Sequence, residues 1–411
     1  MGKIIIINHY GNTPDEPGAT RHYELADYLA QNSNKNIEYW ICGFNHYSGK
    51  IHKSFKKSKL FSKRKVNKFD LIRVKSIPYR KSNILRQLNI TFFDILTSIK
   101  ILFSRDVELI ILSVPPISIF NALAIKLRKI KLVVDVEDLW PLFLKDMGLD
   151  NKIAIKYMDK ASKFIYNKAD AIDAVSNGML DYVKDELKKV DKPMWLSPLG
   201  INGDIYFNTK TNKHLINERP WKDDFKIMYI GAHNPANDLY SVLDTIHAFN
   251  SKMDNNNVSF VFYGDGNQLE DLINYKNNLL LDNVYFEGSV PSNVVNEYLE
   301  LSDVCLTNLK KIESFKLVRP NKLFQYMALS KPIICGIWGE SKDIIENSES
   351  GIYVDFTEPA IASDKIINMI NDKDKMDKYG KSGKEFILKN GVRENIYREF
   401  LSEINEVLDR N

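Results

Sequence analysis

Two tandem α/β halves, each a doubly wound sheet of parallel strands, are what this 411-residue sequence predicts. Three observations lead there. Short Ile- and Val-rich runs end in polar, glycine-bearing loops, as buried parallel strands do. Segments with helical spacing alternate with these runs. The alternation breaks over residues 191–212, where Pro193, Pro198, Gly200 and Gly203 stand, and then restarts. The expected first half is residues 1–200, joined by a C-terminal helix at about 390–411. The expected second half is residues 201–389. Each is long enough to bury its own core. Ligands of such sheets bind at the carboxyl ends of the strands, so the halves are expected to face each other across a cleft.

The elements follow in order. Residues 3–8 form an Ile-rich strand, and the loop after it holds Gly11, Pro14, Pro17 and Gly18. A helical pattern runs through Tyr23, Leu25, Ala26, Tyr28 and Leu29. Further strands of the first half are expected at 37–42, 71–74, 109–113, 131–135 and 171–175, with helices at 90–102, 117–127 and 153–169. In the second half strands are expected at 225–230, 259–263, 284–287, 304–307, 332–335 and 352–354. Helices are expected there at 239–249, 294–301 and 322–329. An amphipathic helix at 394–408 closes the chain.

The composition, 44% hydrophobic and 27% charged, is that of a globular protein, and a net charge of +4 does not mark a nucleic-acid binder. Basic residues concentrate between Lys53 and Arg86, with Asp70 as the only acid among them. Two readings stand: a solvated basic loop, or a patch for anionic lipid headgroups or a phosphorylated acceptor. Three cysteines, Cys42, Cys305 and Cys335, fit no metal spacing, and their odd number argues against a disulfide framework. The N-terminal apolar run is too short for a signal peptide. The apolar stretch 90–114 is interrupted by Asp94, Lys100, Arg105, Asp106 and Glu108 and is not expected to span a bilayer. A soluble, cytoplasmic protein is expected, peripheral at most at the inner membrane face.

No P-loop, HExxH, GxSxG or zinc spacing is present. Asp170 and Asp173 could share a metal, but their apolar neighbours at a strand start favour a structural role. Gly264-Asp265-Gly266 follows a strand, as ordinary turns also do. The segment from Val318 to Ala328 runs a basic loop through Pro320 into a helix. Free helix N-terminal amides beside Arg319 and Lys322 suit a diphosphate, though an ordinary capped helix reads the same way. Asp135, Glu137 and Asp138 stand at the carboxyl end of a strand. Asp138 is either a helix cap or, with Glu137, part of a catalytic or acceptor-orienting group.

These segments, in their order and spacing, resemble the retaining family-4 glycosyltransferases of the GT-B fold. The branch of N-acetylfucosamine transferases of O-antigen and capsule assembly is the most similar. The resemblance rests on Pro17–Arg21, Ser113-Val114-Pro115-Pro116, Asp135–Pro141, Ala169-Asp170-Ala171 with Val175–Met179, and Ser197–Ile201. In the second half it rests on Tyr229-Ile230-Gly231, Tyr263–Gly266, Phe286-Glu287-Gly288 and Arg319–Ala328. It implies a nucleotide-sugar donor, UDP-linked, bound through Gly231, His233, Gly264, Gly288, Asn321, Leu323 and Gln325, with Gly18 close to its phosphate. Arg319 and Lys322 would compensate the leaving diphosphate, so neither metal nor cofactor is expected. Glu137 and Asp138 would act catalytically. Arg21 and His9 would meet a glycan or lipid-linked glycan acceptor of surface polysaccharide synthesis. The chain departs from the family at Leu317 and Gln325, where paired glutamates are common, and at Ala232 and Asn237-Asp238. It also has Glu137 where many relatives have His. Two other readings stay open: a GT-B epimerase of UDP-N-acetyl sugars, and a non-catalytic GT-B scaffold or partner of another transferase.

Overall fold

The computed structural model describes residues 2–410 apart from 53–54, 56–58, 80–81, 189–190 and 254–256, and the chain divides into two compact units. The first is Met1–Pro198 with Glu394–Asn411, and the second is Leu199–Arg393. The expected boundaries at 200 and about 390 thus move to 198 and 394.

The first unit is built on one eight-stranded sheet. Its order is Met194–Leu196, Ala171–Ala174, Lys131–Val136, Val107–Val114, Lys3–Asn8, Asn36–Cys42, Phe69–Val74 and Phe61–Val66. Every pairing is parallel except the last. Ile4 to Ile7 are wholly buried because helices cover both faces of this central strand. On one face Leu25 and Leu29 of the helix Arg21–Asn32 share a core with Ile396, Phe400 and Ile404 of the helix Arg393–Asp409. The helices Asn83–Phe103, Ile119–Leu127 and Lys152–Lys168 pack side by side along the sheet as a second layer.

The edge strand Phe61–Val66 corrects the reading of the basic stretch. It turns back at Asn67, which has a φ of 46°, to pair antiparallel with Phe69–Val74. Lys63 and Lys65 reach Asp70 at 2.9 and 3.7 Å. Lysines on an exposed edge also discourage further strand pairing. Arg73 points inward, 4% exposed, with Glu16 at 3.4 Å. These residues therefore do not form one basic face. Lys53, Lys56, Lys57, Arg80 and Lys81 lie outside the described residues.

The second unit holds a six-stranded, fully parallel sheet. Its order is Val284–Gly288, Val258–Tyr263, Phe225–Ile230, Val304–Thr307, Ile333–Cys335 and Gly351–Tyr353. In chain order this is 3-2-1-4-5-6, so the winding reverses between Phe225–Ile230 and Val304–Thr307. The first unit reverses likewise between Lys3–Asn8 and Val107–Val114. Both candidate clusters lie at the carboxyl ends of strands in these sheets.

Close backbone approach shapes one such end. Gly264 has a φ of 144°, and a Cβ there would stand 1.8 Å from the Gly231 carbonyl oxygen. Gly288, at 77°, has open space around it. Gly288→Ala should cost about 1–2 kcal/mol, the ordinary penalty for a left-handed residue. Gly264→Ala should lower the melting temperature clearly further. Equal shifts for the two variants in thermal melts would refute the tight contact.

Candidate active site

In the first unit the site is built around a buried guanidinium. Arg21 opens its helix and is 2% exposed. Its Nη1 donates to Asp135 Oδ2 at 2.5 Å and to Glu137 Oε1 at 3.4 Å. Its Nη2 donates to Asp173 Oδ2 at 3.1 Å and to the Ser197 carbonyl at 3.3 Å. His22 joins the cluster. Asn8 Oδ1 accepts the Tyr10 amide, which leaves the Asn8 amide nitrogen facing His22 Nδ1 at 2.8 Å. His22 therefore donates from Nε2 to Asp135 Oδ2, also at 2.5 Å.

The two buried aspartates, paired in register on adjacent strands, divide their roles. Against the cost of burial, Arg21 and the His22 bond hold Asp135 well below the usual carboxylate range. Burial and the neighbouring Asp135 push Asp173 far above it. Of the two aspartates only Asp135 thus faces the guanidinium as an anion, which is how a buried charge is tolerated. Glu137 is the carboxylate that reaches outward, its side chain 22% exposed. Ser113 Oγ donates to its Oε2 at 3.0 Å while Arg21 holds its Oε1, so its orientation is set from both sides.

Asp138 is partly buried. Burial pushes it up to about 7, opposed by bonds from the Leu139 amide and Trp140. It braces its own turn and does not cap the next helix, whose N-cap is Pro141. His22, Asp135 and Glu137 offer ligand atoms within 4.8 Å of one another, a grouping able to hold a metal ion. The Arg21 guanidinium is bonded to the same two carboxylates, so its charge opposes a cation there. Asp170 and Asp173 share no site. Asp170 takes Lys126 at 2.7 Å and the Leu132 amide, while Asp173 takes Arg21.

Both acceptor candidates are buried. Four protein oxygens engage Nη1 and Nη2 of Arg21, while its Nε has no partner. His9 is 4% exposed, with Nε2 on Asn89 Oδ1 at 2.6 Å, and burial pulls it down to about 4. Gly18 packs against Asn12 and Tyr47.

In the second unit the centre is Lys322, the second residue of the helix Asn321–Ala328. Its ammonium lies 4.4 Å from the Tyr229 ring centroid and 3.3 Å from the Tyr229 hydroxyl. It fills the space where a side chain on Gly231 would go, 2.1 Å from that position. No carboxylate lies within ion-pair distance among the described residues. Burial alone lowers it to about 8. His233 beside it is wholly buried, and neither ring nitrogen has a hydrogen-bond partner. Burial first, then Lys322, pulls it down to about 4, so the ring is neutral near pH 7.

Arg319 stacks 4.8 Å from the Phe324 centroid and lies 3.9 Å from Glu340, while its Nε has no partner. Asn321 Oδ1 is likewise buried and unpartnered. Gln325 is partly exposed. Leu323 is a correction: it is fully buried in the core beneath the helix, and its amide bonds to the Pro320 carbonyl. Glu287, before Gly288, is held by Trp221 and Arg219, both at 2.8 Å. The segments around Glu313–Leu317 and Glu340–Asn347 are knitted together. Trp338 donates to the Ile312 carbonyl, and Ser341 to that of Val318. Glu340 was not among the expected site residues. Only folding brings it to Arg319, across twenty residues of sequence.

Residues 211–386 match the family model Glycosyl transferases group 1. A protein of Methanocaldococcus jannaschii, described as an uncharacterised glycosyltransferase, is 22% identical over 270 residues. The match covers 64% of this chain and 66% of that protein, just under two thirds of its length. The sucrose-phosphate synthase structure from Thermosynechococcus elongatus superposes with a TM-score of 0.73 at 14% identity, covering 99% of each chain. Anabaena HepE, solved in complex with UDP, gives 0.73 at 11% identity, covering 99% of this chain and 100% of its own. The fold is GT-B. The two doubly wound units are the Rossmann-like domains of that fold.

Removing one partner of a buried charge cluster leaves the others uncompensated, at about 3–5 kcal/mol. Arg21→Met should therefore destabilise the GT-B chain by that order in denaturant unfolding. An unchanged midpoint would show that the cluster tolerates its loss.

Proposed function

We propose that the chain is a glycosyltransferase that binds a UDP-linked sugar on its second unit. It transfers the sugar with retention, and without a metal ion, to a glycan or lipid-linked glycan of a surface polysaccharide. Lys322 carries the proposal. A lysine held at the carboxyl end of a sheet, with no carboxylate in ion-pair distance among the described residues, suits a ligand that brings its own negative charge. The first amides of the same helix add donors. Arg319 and Lys322 offset the charge that grows on the leaving diphosphate. His233, Asn321 and Gln325 supply uncharged hydrogen-bonding groups, and Gly231, Gly264 and Gly288 let the backbone approach the donor. The match to a group 1 glycosyltransferase model over this unit, and the UDP held by the Anabaena neighbour, support the donor class.

In the first unit Glu137 is the group that meets the acceptor. Ser113 and Arg21 pre-orient it, and rigid placement lowers the cost of reaching the transition state. The transferred sugar is a hexose or an N-acetylhexosamine, selected around Glu313–Leu317 and Glu340.

Calorimetry with UDP tests the donor site. The wild type should bind, and Lys322→Ala should bind about 10–100-fold more weakly, the worth of a charge-assisted bond. Absence of binding by the wild type, or unchanged binding in the variant, sinks the assignment. The ammonium is charged below its pKa of about 8. UDP affinity should thus hold steady toward neutral pH and fall as pH rises through 8. A flat profile would count against Lys322. Glu137→Gln should keep UDP affinity and lose most transfer to a glycan acceptor. UDP binding without turnover on any donor would favour the scaffold reading, for which Leu317 and Gln325 speak. Product formed without an acceptor would favour the epimerase.

A further inference from the structure

Helix Asn83–Phe103 is apolar on both sides. Phe93, Leu96 and Ile101 turn into the core. Ile84, Leu88, Ile95, Ile99 and Leu102 recur at intervals of three, four and seven residues on its outer side, and all are exposed. Thr91 fills the one gap in that stripe. A helix with apolar residues on two opposite sides ordinarily buries both, and this one does not. It is also no membrane span, since among the described residues no helix is long and apolar enough to cross one.

The stripe does not end at the helix edge. Helix Ile119–Leu127 packs beside it and adds exposed Phe120, Leu123 and Leu127. Helix Lys152–Lys168 follows with Ile153, 83% exposed, and Tyr157. Among the described residues, most of the exposed large hydrophobic side chains lie on these three helices. Monomeric proteins seldom leave so continuous an apolar surface in water.

Charge says what covers it. Across residues 82–105 and 117–131 the only acid is Asp94, which is buried and caps the amides of Phe120 and Asn121. The same segments carry exposed Arg105, Arg128 and Lys129, none with a carboxylate in ion-pair distance among the described residues. Lys152, Lys156 and Lys160 are exposed beside Ile153 and Tyr157. An apolar face with a cationic rim complements anionic headgroups over acyl chains. A twofold contact with a second copy would instead bring the same patch, with its own cations, to both sides.

We propose that the outer face of the helices Asn83–Phe103, Ile119–Leu127 and Lys152–Lys168 docks the protein onto an anionic bilayer. The helices lie in the headgroup layer, with Leu88, Ile95 and Phe120 dipping toward the acyl chains. This is a different surface from the basic hairpin around Lys63, and it does not depend on the donor-site reading.

Co-sedimentation of the full chain with vesicles tests it, using phosphatidylcholine alone and phosphatidylcholine mixed with phosphatidylglycerol. The wild type should pellet with the anionic vesicles, and less so as salt rises. Leu88→Glu/Ile95→Glu should reduce binding about tenfold or more, with melting temperature and UDP affinity unchanged because both positions are exposed. Arg128→Glu/Lys129→Glu should weaken it too, while Lys63→Ser/Lys65→Ser should not. Failure of the wild type to bind anionic vesicles overturns the proposal, as does full binding by the apolar variant. Loss of binding only in the Lys63/Lys65 variant moves the contact to the hairpin. A wild-type dimer in light scattering that the apolar variant splits, without vesicle binding, makes the face a self-association surface.

Discussion

A guanidinium without water must find its counter-charges inside the protein, and that requirement organises the first unit. Arg21 draws Asp135 and Asp173 from two neighbouring strands, the Ser197 carbonyl from the segment after the last strand, and Glu137 from the loop above them. Its own carbonyl accepts the Tyr397 hydroxyl at 2.9 Å, so the C-terminal helix is fastened to the same residue. That helix also shares the apolar core of Leu25 and Leu29. The return of the chain's end to the first unit thus has a polar and an apolar cause at one place. Glu137 inherits its position from this arrangement: the group that reaches outward is held by one that cannot move.

The second unit treats its cations in the opposite way. Arg21 is neutralised by design of the fold, whereas Lys322 is desolvated and left without an anion. Burial of an unpaired ammonium is unfavourable, and this cost lowers Lys322 to about 8. A polyanionic ligand relieves it. His233 and Asn321 add buried polar atoms that the protein itself does not satisfy. Unsatisfied buried groups are uncommon in folded proteins, and both units hold them: Arg21 Nε and one oxygen each of Asp135 and Asp173 in the first, the His233 ring nitrogens, Arg319 Nε and Asn321 Oδ1 in the second. What sets the second cluster apart is an ammonium with no carboxylate in ion-pair distance among the described residues.

The outer helices of the first unit show a third use of apolar surface. Their inner sides do what any sheet-covering helix does. Their outer sides carry exposed apolar residues beside exposed cations, of which Arg128 also donates to the Leu102 and Ser104 carbonyls. A peripheral contact of that kind would set the first unit near a lipid-linked acceptor, the substrate class proposed for it.

The strands and most helices were legible in the sequence, because buried parallel strands are short apolar runs and their helices repeat at helical spacing. The break between the halves, and Arg319, Lys322 and Glu137 as candidates, also stood out in the sequence, since basic residues before a helix and acids after a strand stand out locally. The strand Phe61–Val66 was not, because an edge strand of alternating lysines lacks the apolar signature. Nor were the roles of Arg21, His9 and Leu323. An arginine in a motif reads alike whether it faces solvent or four buried oxygens, and a leucine in a binding motif reads alike whether it lines the site or supports it. Sequence determined which residues could carry charge or hide from water. Tertiary structure alone decided which charges cancel, as at Asp135 and Glu340, because those partners come from distant strands and loops. It also decided which apolar faces stay uncovered, because a helix's outer side is defined only once its inner side has found the sheet.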